Sequence, residues 1–465
     1  MYKKRQTILL IALMLTLITS IRAQSLQKFK DGDSIVFLGN SITDGGHYHS
    51  YIWLYYMTRF PKMRIQIFNS GISADAVSNM YKRFDTDVLV YKPNYLVLTF
   101  GMNDSGYADY NKPNSKEFGD KKYEEMVVNF GKLNNKIKSI PDITVGIMTS
   151  TPYEEIADLP HSPIANVHVG KTDVMLRMSD YQKSIARDNN WGFVDLISPM
   201  LEINREGQRL DPSFTISGGD RVHPSHLGHM VMAYYFLNAQ GFSNEKVSST
   251  SIDVNELNNI ETEFCEINNL EYTQGVLSFD YLAQSLPYPT DTLHLWGSPS
   301  QHDALKYVPF MDEMNQEVLT VKGLDEGIYS ITIDSELISE FSSQDLSNGI
   351  NLANYVNTPQ YQQAISVMLL NEERWEIERR IRQYKGLHYR YLEHKDLLFE
   401  DTKETLDILQ SDLPNNEVVR YLYPNYSKSR FEEVRNTWEQ MQQLLVDRIY
   451  TINKPLIRTI KIIKQ

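Results

Sequence analysis

The first half of the sequence predicts an α/β domain with a parallel sheet, and two observations lead to this fold class. Four short apolar runs have the composition of buried strands: residues 34–38, 64–68, 95–100 and 143–148. Longer segments with apolar residues at helical spacing alternate with these runs, at 50–60, 73–91, 121–139 and 173–189. Strands and helices in strict alternation predict a parallel sheet covered by helices on both faces. The ligands of such sheets bind beyond the carboxyl ends of the strands.

The chain of 465 residues is longer than one hydrophobic core usually holds, so further domains are expected. Residues 249–357 lose the helical period and predict a small β-rich module, with a hairpin-type connection at 323–327. Residues 358–465 predict a helical C-terminal region, with helices at 360–395, 400–412 and 427–452. The basic and apolar segment 457–464 is expected to be a final helix or strand packed on its neighbours. Whether these regions line a functional cleft or form separate modules stays open.

The N-terminus has the pattern of a cleaved secretory signal peptide at residues 1–23. Basic residues 3–5 precede the apolar run 8–18, which is too short to cross a bilayer as a helix, so a retained anchor is disfavoured. Ala23 is a small residue at the cleavage point, and the absence of a nearby cysteine excludes a lipid-modified N-terminus. We therefore expect a secreted or periplasmic protein without stable membrane insertion, whose first domain spans 24–248.

Charge and cysteine content exclude several classes of function. The net charge of −13 argues against a nucleic-acid partner, because phosphate contacts need a clustered excess of Lys and Arg. Cys265 is the single cysteine, so the chain cannot form an intramolecular disulfide, a multi-cysteine metal site or a thiol relay. We expect Cys265 to be a small buried apolar residue.

Polar residues and glycines follow the predicted strands, at the edge where a parallel sheet would gather them. Ser41 follows the first strand, Gly71 the second and Asn103 the third. Asp220 and His223 lie much later, in a turn before an apolar helical run. An Asp three residues before a His can orient the imidazole through one nitrogen while the other nitrogen faces a substrate.

These five residues supply what acyl transfer requires. A serine hydroxyl is a poor nucleophile at neutral pH, and His223 can act as its base while Asp220 stabilises the imidazolium. The transition state places negative charge on the former carbonyl oxygen, which needs preorganised hydrogen-bond donors. The backbone N–H groups of Ser41 and Gly71 and the side-chain amide of Asn103 are the predicted donors.

In this order, the blocks around these residues resemble those of the SGNH, or GDSL-type, hydrolases. Ser41, Gly71, Asn103 and His223 match the four residues that name the family, and Asp220 matches the Asp of its last block. The resemblance covers roughly residues 30–240. It implies a flavodoxin-like three-layer fold and ester hydrolysis without a metal or another cofactor.

One residue departs from the family pattern. The residue before the nucleophile is typically Asp in this family, and it is Asn40 here. Because Asn and Asp both accept local backbone hydrogen bonds, we expect the structural role of this position to survive. The segment 323–364 is also similar to the C-terminal part of a longer group of secreted bacterial SGNH proteins, which often accompany polysaccharide-degrading systems.

Two other groups of residues have competing interpretations. The histidines at 47, 49, 226 and 229 invite a metal site, but their spacing matches no helix-borne zinc motif, so packing or solvent exposure is favoured and no metal is predicted. Trp375 and the neighbouring Arg379 and Arg380 suggest a sugar-stacking or anion-binding patch. An ordinary helix face is the favoured interpretation.

The sequence therefore predicts a secreted serine esterase that removes acyl groups, most simply acetyl, from a plant or bacterial poly- or oligosaccharide. One alternative is an esterase for lipid or peptidoglycan acyl groups. Another is a non-catalytic glycan-binding protein that keeps the fold without the chemistry, and Asn40 is the one feature that favours it. The sequence does not determine the sugar, the acyl position or the oligomeric state.

Overall fold

The computed structural model describes residues 25–163, 166–294 and 298–465. The expected signal peptide at 1–23 lies outside these ranges, so its cleavage stays a prediction. Across the three described ranges, no helix combines the length and the apolar character that a membrane crossing needs.

The first domain contains a five-stranded parallel sheet, as predicted. Its strands are β1 (Ser34–Gly39), β2 (Gln66–Gly71), β3 (Tyr95–Phe100), β4 (Thr144–Thr149) and β5 (Gly192–Val194). They lie in the order β2-β1-β3-β4-β5, which is the flavodoxin-like order that the resemblance implies. Gly39 pairs with Gly71 in register, so the loops that leave β1 and β2 begin side by side.

Helices cover both faces of this sheet. They are α1 (Ser41–Asp44), α2 (Tyr48–Arg59), α3 (Val77–Asp87), α4 (Ser115–Lys138), α5 (Lys171–Asn189), α6 (Ile197–Leu210) and α7 (His226–Ala239). Ile35 and Phe37 of β1 pack into a core with α2 and α7, whereas Val36 and Leu38 pack into a second core with α3 and α4. Because both faces are buried, the strands are apolar throughout instead of alternating.

Two small sheets form the β-rich part of the molecule. Their strands are β6 (Ser248–Asp253), β7 (Glu261–Glu263), β8 (Cys265–Thr273), β9 (Val276–Ala283), β10 (Glu317–Lys322), β11 (Ile328–Ile333), β12 (Glu336–Ser342), β13 (Ile350–Asn351) and β14 (Arg458–Lys464). The orders are β13-β10-β6-β7 and β12-β11-β14-β9-β8. β10 and β11 lie in different sheets, so the predicted hairpin at 323–327 is wrong, since glycine and aspartate turn signals do not distinguish a hairpin from a crossover. Both sheets share one core, in which Cys265 is buried as expected.

The C-terminal segment returns to this β-rich part. β14 pairs with β11 on one side and β9 on the other, so the predicted helical region 358–465 ends before its last residues. Ile460 and Ile462 are buried while Lys461 between them is exposed, which is the period-two pattern of a strand.

The remaining helices are α8 (Phe310–Met314), α9 (Ser343–Asn348), α10 (Pro359–Leu387), α11 (Lys403–Asp412), α12 (Glu417–Ser429) and α13 (Glu432–Ile452). The predicted helix at 427–452 is therefore two helices, and α12 begins earlier than the sequence indicates. Pro424 lies inside α12 and obscures it, because proline usually ends a helix. α10 packs against α12 and α13 on one side and against α2 of the first domain on the other.

Candidate active site

Ser41 is the first residue of α1, directly beyond the carboxyl end of β1. Asn40 caps this helix, since its Oδ1 accepts a hydrogen bond from the Ile42 N–H at 3.0 Å. The asparagine thus performs the local structural role expected of this position. The Ser41 N–H finds no hydrogen-bond acceptor among the described residues, so this donor is available to a ligand.

Ser41, His223 and Asp220 form a continuous chain of hydrogen bonds. Ser41 Oγ lies 2.7 Å from His223 Nε2, and His223 Nδ1 lies 2.5 Å from Asp220 Oδ2. Asp220 Oδ1 also accepts hydrogen bonds from the backbone N–H groups of Val222 and His223, at 3.0 and 2.8 Å. The structure therefore brings together the three predicted residues, and the turn that carries the imidazole also fixes the carboxylate.

The charge of Asp220 is stabilised by this turn. Burial alone would raise the pKa of Asp220, but the hydrogen bonds and charge of His223, with the Val222 N–H, lower it below its ordinary value. Asp220 is therefore ionised at neutral pH and accepts a hydrogen bond from His223 Nδ1. His223 Nε2 faces the Ser41 hydroxyl, which is the arrangement that a general base needs.

Asn103 lies in the loop after β3, close to the loop that leaves β2. Its Nδ2 donates to the Asp75 carbonyl at 2.8 Å, which uses one of its two hydrogens. Tyr107 donates its hydroxyl to Asn103 Oδ1 at 3.3 Å, which fixes the orientation of the amide. The second Nδ2 hydrogen has no acceptor among the described residues.

Gly71 does not supply a free donor, and here the structure corrects the prediction. Its N–H donates to Asn69 Oδ1 at 2.8 Å, and its carbonyl accepts from Arg382 at 2.7 Å. A Cβ at position 71 would lie 2.1 Å from the backbone nitrogen of Asp44. Gly71 therefore allows the end of β2 to pack closely against α1, and that steric need explains the glycine.

Ala74 has the features that the prediction assigned to Gly71. It lies in the turn after β2, has a φ of 70°, and is exposed. Its N–H has no hydrogen-bond partner among the residues described. Ser73 joins this turn to α1, because its N–H and Oγ both donate to Asp44 Oδ2, at 3.2 and 2.6 Å. No sequence signal marks Ala74, since alanine rarely adopts a left-handed conformation.

A cleft of about 660 Å³ opens at Ser41 and His223. The first domain contributes the loop after α1 and the start of α7 to its walls. α10 contributes further lining residues, among them Glu372, Trp375 and Arg379, and the exposed Tyr421 of α12 also lines the cleft. The C-terminal helices therefore line the cleft, which answers the question that the sequence left open.

α10 is attached to the loops that form the site. Trp375 is buried, donates its Nε1 hydrogen to the Gly46 carbonyl at 3.0 Å, and stacks on His47 with 3.8 Å between ring centroids. Glu378 accepts a hydrogen bond from the Asn69 N–H at 3.1 Å. The sequence raised Trp375 and Arg379 as a possible patch and favoured an ordinary helix face, but both residues line the cleft. The helix-face interpretation is wrong here because the contacts join residues that are far apart in the chain.

The histidines near the nucleophile pack against one another and against aromatic rings. The His47 ring lies 4.4 Å from that of His226 and 6.3 Å from that of His229. Burial, together with the neighbouring histidines, lowers the pKa of His47 and His229 well below the ordinary value, so both rings are neutral. In the described ranges, no three His, Cys, Asp or Glu side chains are grouped to hold a metal ion.

Comparison with known proteins gives matches to both parts of the chain. A family model described as the GDSL-like lipase/acylhydrolase family matches residues 37–231, and one described as the diltiazem deacetylase C-terminal helical domain matches residues 365–454. A gut microbial diltiazem-metabolizing enzyme of known structure is 45% identical in sequence to this chain. The two structures match with a TM-score of 0.92, and the match covers 95% of this chain and 100% of that enzyme. An acetylxylan esterase from Geobacillus stearothermophilus is 27% identical in an alignment of 234 positions that covers 46% of this chain and 97% of that relative.

The parallel sheet and the serine, histidine and aspartate at its carboxyl edge define a serine-dependent hydrolase with a flavodoxin-like α/β fold. The protein belongs to the GDSL-like lipase/acylhydrolase family, that is, the SGNH hydrolases, and carries a C-terminal helical domain. It is a carboxylic ester hydrolase.

Proposed function

We propose that the protein is an exported serine esterase that removes acetyl groups from an acylated poly- or oligosaccharide. The hydrogen-bond chain from Ser41 through His223 to Asp220, open to a broad cleft, is the observation that carries the proposal. An acetylxylan esterase matches the domain that contains these three residues, which favours an acetylated sugar as the substrate. The family model that matches the C-terminal domain is named after a deacetylase, which favours acetyl as the acyl group.

The reaction follows from the geometry. Ser41 Oγ attacks the ester carbonyl while His223 Nε2 accepts its proton, and Asp220 stabilises the resulting imidazolium. When the tetrahedral intermediate collapses, the carbon–oxygen bond to the alcohol breaks and His223 returns the proton to the departing alcohol. Water then attacks the acetyl-Ser41 ester, with His223 again as base, and acetate is released.

The developing oxyanion is stabilised by three donors on adjacent loops. The N–H groups of Ser41 and Ala74 and the free Nδ2 hydrogen of Asn103 are each without a protein acceptor in the described chain. Donors that are already oriented before the reaction lower the barrier, and the loss of one typically costs about 10²–10³ in kcat.

A second candidate substrate is a smaller acetyl ester with an aromatic or apolar alcohol. The relative that matches nearly the whole chain metabolises diltiazem, a small molecule rather than a polymer. Three exposed apolar side chains at the cleft favour such a substrate, namely those of Leu293, Leu369 and Tyr421. Membership of a hydrolase family disfavours the non-catalytic alternative.

Export is part of the proposal and rests on the N-terminal pattern. Purification of the mature protein from the host, followed by N-terminal sequencing, should give Gln24 as the first residue. A mature chain that begins at Met1 would contradict export by this signal.

The nucleophile can be tested by substitution. We expect Ser41→Ala to lower kcat on p-nitrophenyl acetate by about 10⁴-fold or more, because neither the base nor the oxyanion donors can replace the attacking oxygen. Ser198→Ala is the control, since Ser198 is an exposed serine on α6 outside the cleft. Equal rates for Ser41→Ala and the wild-type protein would refute the mechanism.

The substrate class can be tested by acetate release. A panel of acetylated xylans and other acetylated polysaccharides is compared with diltiazem and with long-chain p-nitrophenyl esters. The proposal predicts the highest kcat/KM on an acetylated polysaccharide or oligosaccharide. A preference for diltiazem would favour the second candidate, and a preference for acyl chains of about eight carbons or more would favour a lipid esterase.

A further inference from the structure

A buried lysine lies beneath the loop that carries Asn103. Lys171 is the first residue of α5, and its side chain is fully buried. Its Nζ donates to the Met102 carbonyl at 2.6 Å, to the Gly106 carbonyl at 2.7 Å and to Ser105 Oγ at 2.5 Å. An ammonium group has three hydrogens, so each hydrogen has one acceptor.

These acceptors lie on both sides of Asn103. A single amino group therefore spans the loop from the residue before Asn103 to Gly106, and it fixes the path of the backbone between them. Burial lowers the pKa of Lys171 to about 7, although the charges of Asp104 and Glu155 oppose the shift. The three hydrogen bonds attach the loop to α5, and they are strongest when the amine is protonated.

The same ammonium also contacts the residue that orients the Asn103 amide. Lys171 Nζ lies 3.9 Å from the centroid of the Tyr107 ring, within the range of a cation–π interaction. The Tyr107 hydroxyl in turn donates to Asn103 Oδ1. Lys171 thus acts on Asn103 in two ways. It holds the backbone on either side of Asn103, and it contacts Tyr107, whose hydroxyl donates to the side-chain oxygen of Asn103.

Stability alone does not require an ammonium at this position. A buried charge is costly unless it is fully hydrogen-bonded, and an apolar side chain would fill the same space without that cost. Asp104, in the same loop, accepts hydrogen bonds from the N–H groups of Val77 and Gly101, at 2.8 and 2.9 Å, so its charge acts on Lys171 without a direct hydrogen bond. The three hydrogen bonds from Lys171 are instead suited to holding the loop in one conformation.

We infer that Lys171 is a positioning residue for ester hydrolysis, which holds Asn103 so that its free Nδ2 hydrogen faces the developing oxyanion. The inference rests on the proposed oxyanion role of Asn103. It predicts that Lys171 affects kcat far more than KM, because the oxyanion forms only in the transition state.

The test is a double-mutant cycle on p-nitrophenyl acetate with Lys171→Met, Asn103→Ala and the double variant. We expect each single substitution to lower kcat by about 10-fold to 10³-fold with little change in KM. In the Asn103→Ala background, Lys171→Met should lower kcat by less than about 3-fold, since its target has already been removed. Lys183→Met is the control, because Lys183 is exposed on the same helix.

The outcomes separate the inference from the proposed function. If Asn103→Ala keeps the wild-type kcat, the proposed oxyanion role fails. If Asn103→Ala lowers kcat but Lys171→Met does not, or if the two losses multiply in full, the inference about Lys171 fails alone. Should Lys171→Met not fold, Tyr107→Phe takes its place in the cycle, since it removes only the hydroxyl that orients Asn103, and the same two criteria apply.

Discussion

At the scale of single residues, Gly71 at the end of β2 and Ala74 in the turn that follows have different roles. Gly71 is required by packing, since a Cβ there would meet the backbone of α1 at 2.1–2.7 Å. Ala74 holds a left-handed backbone at φ 70°, which costs an L-residue about 1 kcal/mol. Strained backbone conformations cluster at active sites, and the free N–H of Ala74 fits that pattern.

Substitutions at these two positions should have opposite consequences. We expect Gly71→Ala to lower the free energy of unfolding by about 3 kcal/mol or more, because backbone atoms cannot move aside as a side chain can. Ala74→Gly should change stability by less than about 1 kcal/mol, since relief of strain offsets the greater entropy of glycine in the unfolded chain. It should also keep kcat within about threefold, as the N–H is retained.

Urea unfolding and p-nitrophenyl acetate kinetics on both variants would check this pair. Wild-type stability in Gly71→Ala would show that β2 and α1 are not packed as described. A large loss of kcat in Ala74→Gly without a loss of stability would mean that the alanine methyl group itself contributes to the site.

At the scale of elements, α10 is joined to the strand ends from which the catalytic loops leave. Burial alone would raise the pKa of Asp87, the last residue of α3, but Arg382, Lys385 and Arg83 hold it well below its usual range. Arg382 also donates to the Gly71 carbonyl, and Arg83 donates to the Gly39 carbonyl at 3.0 Å. One buried carboxylate thus connects α10 to the ends of β1 and β2.

A second buried carboxylate joins the β-rich part to α10, and it makes stability depend on pH. Glu317 begins β10, and its Oε1 accepts hydrogen bonds from Tyr281 of β9 at 2.8 Å and Gln360 of α10 at 3.1 Å. Its Oε2 is buried and finds no partner among the described residues. Burial raises the pKa of Glu317 to about 7 from its ordinary value of 4.5, although both hydrogen bonds oppose the shift.

Because the folded protein holds this proton more tightly than the unfolded chain, the Glu317 contribution to stability should be fully present below about pH 4.5 and fall until about pH 7. The loss should be about 3 kcal/mol. Glu317→Gln cannot lose the proton, so its melting temperature relative to wild type should be higher at pH 8 than at pH 4.5. Calorimetry at both pH values measures this, with the exposed Glu340→Gln as control. The same difference in melting temperature between Glu317→Gln and wild type at both pH values would contradict the prediction.

At the scale of the whole molecule, local patterns predicted the parallel sheet and the serine, histidine and aspartate, because apolar runs and loop residues are contiguous in sequence. The same patterns could not place β14, which pairs with strands more than 100 residues earlier in the chain. They also could not identify Ala74 or Lys171 as parts of the site, and they favoured an ordinary helix face for Trp375. Their roles come from backbone conformation, from burial and from contacts between distant segments, and none of these leaves a local signature.

The catalytic domain and the C-terminal helices share one hydrophobic core. Ala364 and Val367 of α10 and Ile449 of α13 pack in the same cluster as Ile52 and Tyr55 of α2. Removal of the C-terminal helices would therefore expose the core and release the catalytic loops together. The contribution of these helices to substrate choice is better tested by point substitutions at the cleft.

Leu369 of α10 and Tyr421 of α12 are suited to that test, since both line the cleft, both are exposed, and neither is close to the catalytic loops in sequence. We expect Leu369→Ala and Tyr421→Ala to leave kcat/KM on p-nitrophenyl acetate unchanged, because both side chains are exposed and neither contacts the catalytic residues. On the preferred acetylated substrate of the panel, each should lower kcat/KM by about 5-fold to 10-fold, the loss expected for one apolar contact of 1–1.5 kcal/mol. Leu444→Ala on α13 is the matched control, as it removes an equally exposed leucine outside the cleft. If the cleft variants retain full activity on both substrates, then α10 and α12 support the catalytic loops but do not select the alcohol.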